Sequence, residues 1–98
     1  MTGDELSVVD VPDARRFEAR LGSQRIGYTK YVIREDAIAV IHTEIDPSFE
    51  GKGYGSQLAK AVLNDVTARG VRVIVHCPFI AAYVRRHPDD YSGVELRG

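Results

Sequence analysis

The sequence predicts an α/β (α+β) domain with a mixed β-sheet, built from an antiparallel three-stranded meander, a crossover helix, a parallel strand and a short C-terminal helix. Two observations support this prediction. The first half of the chain carries runs of alternating or β-branched residues, which are typical of strands. The second half carries a helical spacing of apolar residues, then a short apolar run, and then a proline that can begin a second helix.

Three strand signals follow one another before the glycine-rich part of the chain. Residues 15–21 alternate apolar and charged side chains, as a half-exposed strand does. Gly22-Ser23 then turns the chain into residues 24–33, which are rich in β-branched and aromatic residues, so the two runs predict an antiparallel hairpin. Residues 37–45 are apolar on both faces for most of their length, which indicates a central strand.

A crossover follows the third strand. Residues 54–69 place apolar side chains three and four positions apart, and Gly70 stands where a left-handed helix cap is expected. Residues 71–75 then form a short apolar run, which predicts a strand parallel to the one before the helix. Pro78 is suited to the first turn of a second helix that extends to about Arg86.

Length and composition favour one domain over residues 1–98, with residues 1–12 as a partly ordered lead-in. Hydrophobic residues make up 44% of the chain and charged residues 28%, which is close to the average for globular proteins. The first residues are acidic, and no apolar run approaches the ~20 residues that span a bilayer. These features predict a cytoplasmic protein.

Charge and cysteine content narrow the classes of partner. The net charge is −1, from 13 basic and 14 acidic side chains mixed along the chain. A mixed distribution gives no single-sign field, so we expect neither nucleic acid nor a membrane as a partner. Cys77 is the single cysteine, so the chain can form no internal disulfide and no thiolate cage, and we expect no metal.

The segment that carries most chemical information reads Glu50-Gly51-Lys52-Gly53-Tyr54-Gly55. Its alternate glycines lie between a strand and an amphipathic helix, where free backbone N–H groups and the positive end of the helix dipole converge. Missing β-carbons let phosphate oxygens approach the main chain, and Lys52 and Ser56 can add side-chain donors. A flexible turn is the alternative interpretation, but the placement of the segment favours phosphate binding.

Two common phosphate-binding motifs do not fit. The chain has no GxxxxGK[ST] sequence, so the segment is not a nucleoside-triphosphate P-loop. A Rossmann unit would place its glycines after the first strand of a parallel βαβ unit rather than after a meander.

The segment resembles the pyrophosphate loop of the GNAT superfamily of acyl-coenzyme A-dependent N-acetyltransferases, which reads (Gln/Arg)-x-x-Gly-x-(Gly/Ala). Gly53 and Gly55 occupy the glycine positions, whereas Glu50 departs from the usual Gln or Arg. The resemblance extends to the small single-domain GNAT-like proteins and covers residues 16 to 91. It rests on three blocks: residues 41–45, residues 49–58, and residues 76–79 together with Tyr83 and residues 86–88.

The resemblance implies a minimal GNAT-like domain that binds acetyl-coenzyme A as cosubstrate. Main-chain groups of the strand end are expected to meet the pantetheine arm, the glycine segment to hold the diphosphate, and Cys77 to lie near the acyl group. The implied cofactor-binding residues are Thr43, Glu44, Ile45, Glu50, Gly51, Lys52, Gly53, Tyr54, Gly55, Ser56 and Cys77.

Three residues are candidates for catalysis. His42 could accept a proton from an attacking amine, because histidine titrates near neutral pH. Glu44 lies two residues further on the same strand face and is the alternative base. Cys77 is expected at the start of a helix, which favours the thiolate form, and the resemblance implies that it is either a transient acyl acceptor or a group that lines the site. The structural alternatives are a histidine bonded within the sheet and a small buried cysteine.

These inferences predict an acetyl-coenzyme A-binding N-acetyltransferase that acts on a primary amine of unknown identity. The chain lacks the additional elements that usually build an acceptor pocket in the superfamily, so the acceptor site is expected to be open or completed by another subunit. We expect a monomer or a weak homodimer. The alternatives are a non-catalytic module that binds or senses acyl-coenzyme A, and a plain interaction domain whose glycines only shape a turn.

Overall fold

The computed structural model describes residues 5–97, and its centre is a six-stranded sheet in which spatial order follows chain order. Strands β1 to β4 pair antiparallel, whereas β4, β5 and β6 run parallel to one another. This arrangement confirms the mixed α/β class. The strands are β1 (Leu6–Val11), β2 (Arg16–Leu21), β3 (Gln24–Ile33), β4 (Ala37–Ile45), β5 (Arg72–Val75) and β6 (Glu95–Leu96). The helices are α1 (Tyr54–Ala68) and α2 (Pro78–Arg86), with 3₁₀ turns at Pro12–Ala14 and Pro47–Phe49.

The meander has four strands, one more than the sequence predicts. Residues 1–4 of the expected lead-in lie outside the described residues, but Leu6–Val11 pairs with β2 along its whole length, which corrects the prediction for this part. The strand gave a weak signal because Val8 and Val9 are adjacent and Asp10 interrupts the apolar pattern. Its extended conformation depends on pairing with β2 rather than on local alternation.

Both helices pack on one face of the sheet, which we call the helix face. The main hydrophobic cluster joins residues of both helices with β2, β3, β4 and β5. A smaller cluster of Ala37, Ala39 and Ile74 lies on the opposite face and contains no helix residue among those described. We call this opposite side the open face. The core residues with little or no exposure include Phe17, Ile26, Val40, Leu58, Val62, Leu63, Val66, Val75 and Ile80.

Strand β4 contains one extra residue, and this bulge sets which side chains reach each face. Lys30 pairs with His42 and Tyr31 pairs with Val40, so Ile41 has no partner in β3. Such a bulge reverses the side-chain alternation beyond it. Val40 belongs to the main cluster before the bulge, and Ile45 packs against the same cluster after it. After the bulge, Thr43 therefore turns toward the helix face, whereas His42 and Glu44 turn toward the open face, which is the reverse of a regular strand.

Candidate functional site

A cavity with a volume of about 580 Å³ lies where the end of β4, the Pro47–Phe49 turn and the first turns of α1 and α2 meet. This volume is within the range of ~300–1,000 Å³ that is usual for small-molecule sites. The residues that line it are Thr43, Glu44, Ile45, Pro47, Phe49, Glu50, Gly51, Gly53, Gly55, Ser56 and Phe79.

The glycine turn at the mouth of α1 has the features of an anion site. Gly51 has φ +80° and Gly53 has φ +85°, which is the left-handed region that favours glycine. A β-carbon at either position would meet no atom of the described residues within 4 Å, so the space beside the turn is open. The first backbone hydrogen bond of α1 runs from the N–H of Gln57 to the carbonyl of Gly53, at 3.2 Å.

The three N–H groups that precede Gln57 are available to a ligand. Within residues 5–97, no backbone carbonyl accepts a hydrogen bond from the N–H groups of residues 54–56. These donors lie at the positive end of the dipole of a 15-residue helix. Donors and dipole together favour a phosphate group at this place.

Gly55 has a different role from the other two glycines. A β-carbon at this position would collide with the aromatic ring of Phe79 in the first turn of α2. The third glycine therefore lets α2 approach α1, and Phe79, which is 43% exposed, forms one wall of the cavity. The sequence analysis did not place Phe79 in the site, because residues 76–79 entered it only as a helix start and as one block of the family resemblance. Pro47 and Phe49 were also missed as lining residues.

A chain of three polar side chains runs from the cavity wall, which includes Thr43, into the core. The hydroxyl of Thr43 lies 3.0 Å from the hydroxyl of Thr29, and the thiol of Cys77 donates to Thr43 Oγ1 at 3.4 Å. Thr29 is fully buried, and Cys77 is only 2% exposed. Cys77 precedes α2 as the sequence predicts, but it is not among the described residues that line the cavity. Its sulfur contacts Thr43, which does line the cavity.

His42 and Glu44 form a pair on the open face. Nε2 of His42 lies 2.9 Å from Oε2 of Glu44, and both side chains are more than half exposed. The ring of Tyr28 lies beside His42, with 6.1 Å between the ring centroids. Glu44 lines the large cavity, whereas His42 is not among its described lining residues.

A smaller cavity of about 270 Å³ adjoins the large one. The two cavities share Glu44 and Pro47. Gly27 lets the two strands pack closely here, since a β-carbon at this position would lie 2.7 Å from the carbonyl oxygen of Glu44. The residues that line the smaller cavity are Arg25, Ile26, Gly27, Tyr28, Glu44, Asp46 and Pro47.

Most of the cofactor-binding residues expected from the sequence are brought to one cavity. Lys52, Tyr54 and Cys77 are not among the described lining residues: Lys52 is exposed to solvent, and Tyr54 packs against the main cluster near Phe49. Within residues 5–97 there is no group of three or more His, Cys, Asp or Glu side chains that could hold a metal ion. No helix in the same range is long and apolar enough to cross a membrane. The expected residues that line the large cavity are Thr43, Glu44, Ile45, Glu50, Gly51, Gly53, Gly55 and Ser56.

Fold and site together define a small α/β protein with a cavity between a strand end and a glycine-rich helix start, the arrangement expected of the GNAT superfamily. A family model described as GCN5-related N-acetyl-transferase matches residues 16–94. The chain therefore belongs to the GCN5-related N-acetyltransferase family. Proteins of this family generally use acetyl-coenzyme A.

Sequence identity between this chain and individual relatives is low. The chain is 28% identical over 76 residues to Protein NATD1 from Xenopus tropicalis. The aligned region covers 76% of this chain and 70% of that protein. It is 36% identical over 47 residues to Protein NATD1 from Bos taurus, over 48% of this chain and 42% of that protein. The solution NMR structure of a GCN5-like protein from Staphylococcus aureus matches with a TM-score of 0.62 and 22% identity, and covers 100% of this chain and 92% of that one. This last likeness is one of fold.

Proposed function

We propose that the chain binds acetyl-coenzyme A in the large cavity and transfers the acetyl group to a primary amine. The observation that carries this proposal is the meeting of three features at or beside one cavity: a strand end, two positive-φ glycines and the N–H groups of residues 54–56, which no backbone carbonyl of the described residues engages. The diphosphate of the coenzyme matches these donors in charge and in hydrogen bonding. Membership of the family supports the same cosubstrate.

The transfer forms a carbon–nitrogen bond and breaks a carbon–sulfur bond. The amine nitrogen gives up one proton, and the departing sulfur takes up one proton from solvent, so coenzyme A leaves as the thiol. Glu44 lines the cavity and can accept that proton. His42, whose Nε2 lies 2.9 Å from the Glu44 carboxylate, can pass the proton on to solvent. The burial of Cys77, which is not among the described residues that line the cavity, supports direct attack by the amine over transfer through the thiol.

The binding step is tested by calorimetry with acetyl-coenzyme A on a matched pair of variants, Gly53→Val and Gly22→Val. Both glycines have positive φ and open space around them, so both substitutions strain the backbone by a similar amount, about 1–2 kcal/mol. Gly53 lines the cavity, whereas Gly22 turns the chain between β2 and β3. We expect the dissociation constant to rise at least about tenfold for Gly53→Val only.

Equal affinity of the two variants would contradict the assigned role of the turn, and absence of binding to the unaltered chain would contradict the whole proposal. Thermal unfolding of both variants serves as the control, because it shows whether the strain is in fact matched.

A second candidate is a non-catalytic module that binds or senses acyl-coenzyme A. The exposure of the His42–Glu44 pair favours it, since more than half of each side chain is accessible to solvent and water is not excluded there. Release of free coenzyme A in the presence of a panel of primary amines separates the two functions. Binding of acetyl-coenzyme A without any amine-dependent release would identify the module.

A further inference from the structure

The smaller cavity offers a place for the second substrate. It adjoins the large cavity and shares Glu44 and Pro47 with it, so a molecule in either cavity meets the same carboxylate. Its volume of about 270 Å³ is just below the usual range of ~300–1,000 Å³ for drug-sized ligands, which fits a small metabolite. The cavity lies beside Tyr28, whose ring packs near His42 on the open face.

The lining of this cavity carries charges of both signs. Glu44 and Asp46 contribute carboxylates, and Arg25 contributes a guanidinium. The carboxylate of Asp46 is held in place because its Oδ1 accepts a hydrogen bond from the N–H of Ser48 at 3.0 Å. Carboxylates are suited to an ammonium group, and a guanidinium is suited to a carboxylate. A ligand with both groups would match both parts of the lining.

Arg25 makes weaker contacts with Glu18 than the neighbouring arginines do. Arg16 and Arg20 each approach Glu18 to 2.6 Å, whereas the nearest approach of Arg25 to the same carboxylate is 3.7 Å. The guanidinium of Arg25 lies over the ring of Tyr28, 5.8 Å from its centroid, which keeps it at the cavity wall. Its hydrogen-bond donors therefore remain available for a ligand.

We propose that the smaller cavity binds an amino acid, with the ligand's carboxylate at Arg25 and its ammonium group at Glu44 and Asp46. The assignment of this ligand as the acetyl acceptor rests on the proposed function, because it needs an acyl donor in the adjoining cavity. Glu44, which lines both cavities, then contacts the amine at the point where it must lose its proton. An amine without a carboxylate makes no hydrogen bond to Arg25 and binds more weakly.

The test is a titration of the isotope-labelled chain followed by NMR, with two pairs of compounds that differ only by a carboxylate. The pairs are L-alanine with ethylamine, and L-ornithine with putrescine. We expect each amino acid to shift the backbone signals of residues 25–28 and 44–46, with a midpoint about tenfold below that of its amine. Arg25→Gln should remove this difference, and Arg34→Gln, at an exposed position after β3, should retain it.

Three results would overturn the inference: equal midpoints within both pairs, amino-acid midpoints unchanged by Arg25→Gln, or no shift by any of the compounds at about 50 mM. The readout needs no catalysis, so it separates this inference from the proposed function. A chain that binds the amino acids and ignores acetyl-coenzyme A would retain the cavity assignment and lose the acetyltransferase assignment.

Discussion

Glu18 is a buried carboxylate on the open face, and three arginines surround it. Arg16 and Arg20 donate hydrogen bonds to its two oxygens, and Arg25 lies further away. The side chain is only 8% exposed. A buried charge requires partners of this kind, because desolvation without pairing is strongly unfavourable. The hydrogen bonds from Arg20 and then Arg16 hold the pKa of Glu18 below its ordinary value of 4.5.

We expect Glu18→Gln to lower the free energy of unfolding by about 2 kcal/mol at pH 7, because it leaves clustered guanidinium groups without their shared counter-charge. The pKa of Glu18 is lowered in the folded state, so its stabilisation is present above pH 4.5 and is lost as the pH falls below that value. The variant should therefore lose less stability on acidification than the unaltered chain. Urea unfolding at pH 7 and pH ~3.5 measures both effects.

Glu35→Gln is the control for this prediction, because Glu35 lies exposed between β3 and β4. An equal loss of stability in both variants would contradict the special role of the buried carboxylate.

Glu44 is among the described residues that line the large cavity, and Cys77 is not. The proposed function therefore predicts different effects on turnover when each is substituted. We expect Glu44→Gln to lower turnover about 100-fold, the usual scale for loss of a general base. Cys77→Ala should keep turnover within about twofold, because the thiol is buried and is not among the described residues that line the cavity. Release of coenzyme A measures both rates. A Cys77→Ala variant that is folded but inactive, with an acyl adduct on the unaltered chain in mass spectra, would instead establish transfer through the thiol.

The glycine turn and the two helices act together at the scale of elements. Gly51 and Gly53 give the turn its left-handed backbone, and Gly55 gives α2 room to place Phe79 against α1. From the sequence alone these three glycines were interpreted together, as a place for phosphate to approach, with a flexible turn as the alternative. The structure separates them, because the position of α2 relative to α1 is a tertiary contact that local spacing does not encode.

We expect Gly55→Ala to move the ring of Phe79 and thereby remove one wall of the large cavity. Under the proposed function the affinity for acetyl-coenzyme A should then fall about as much as it does in Phe79→Ala. The double variant should bind no more weakly than either single variant, since both changes remove the same wall. Calorimetry on the three variants measures this coupling. Additive losses would show that Gly55 and Phe79 act independently.

Elements with a strong local signal were predicted closely, and short or edge elements were not. The apolar spacing and the flanking glycine and proline residues define α1, β5 and α2 within one or two positions of the structure. Strands β1 and β6 were missed, because β1 lies at an edge and β6 has only two residues that pair with β5. Both strands form because each pairs with a neighbouring strand, and the local sequence pattern does not indicate this pairing.

A polar contact connects distant parts of the chain at the scale of the whole molecule. Tyr31 in β3 donates a hydrogen bond from its hydroxyl to Asp10 in β1, at 2.6 Å. Asp10 also accepts a hydrogen bond from Arg69, which follows α1 and is bonded in turn to Asp65. The edge strand is thereby joined to the centre of the sheet and to the end of the longest helix.

We expect Tyr31→Phe to lower the free energy of unfolding by about 1.5 kcal/mol at pH 7, because a buried hydrogen bond to a carboxylate is lost. Burial and then the hydrogen bond to Asp10 raise the pKa of Tyr31 from 10.0 to about 12. The hydroxyl therefore stabilises the fold below pH 10, and this contribution is lost as the pH rises from 10 to 12. The variant should show a smaller alkaline loss. Urea unfolding at pH 7 and pH ~11 measures it, with Tyr54→Phe as the control.

The site was predicted less completely than the fold. The glycine segment and the strand end were identified because their signals are local, whereas Phe79 and the smaller cavity depend on which elements meet in space. The position of Cys77 along the chain was predicted, and its burial was the alternative to a role in the site. Local sequence could not decide between the two, because burial depends on contacts with distant residues such as Thr43.

The unpaired Ile41 changes which residues of β4 face the helices. Before it, even-numbered positions such as Val40 are buried under the helices, and after it odd-numbered positions such as Ile45 pack against the same cluster. His42 and Glu44 reach solvent because Ile41 stands outside the pairing with β3. If the same residues formed a regular strand without the bulge, both side chains would turn inward and Thr43 outward, so the way this strand is paired is as decisive for chemistry as the identity of its residues.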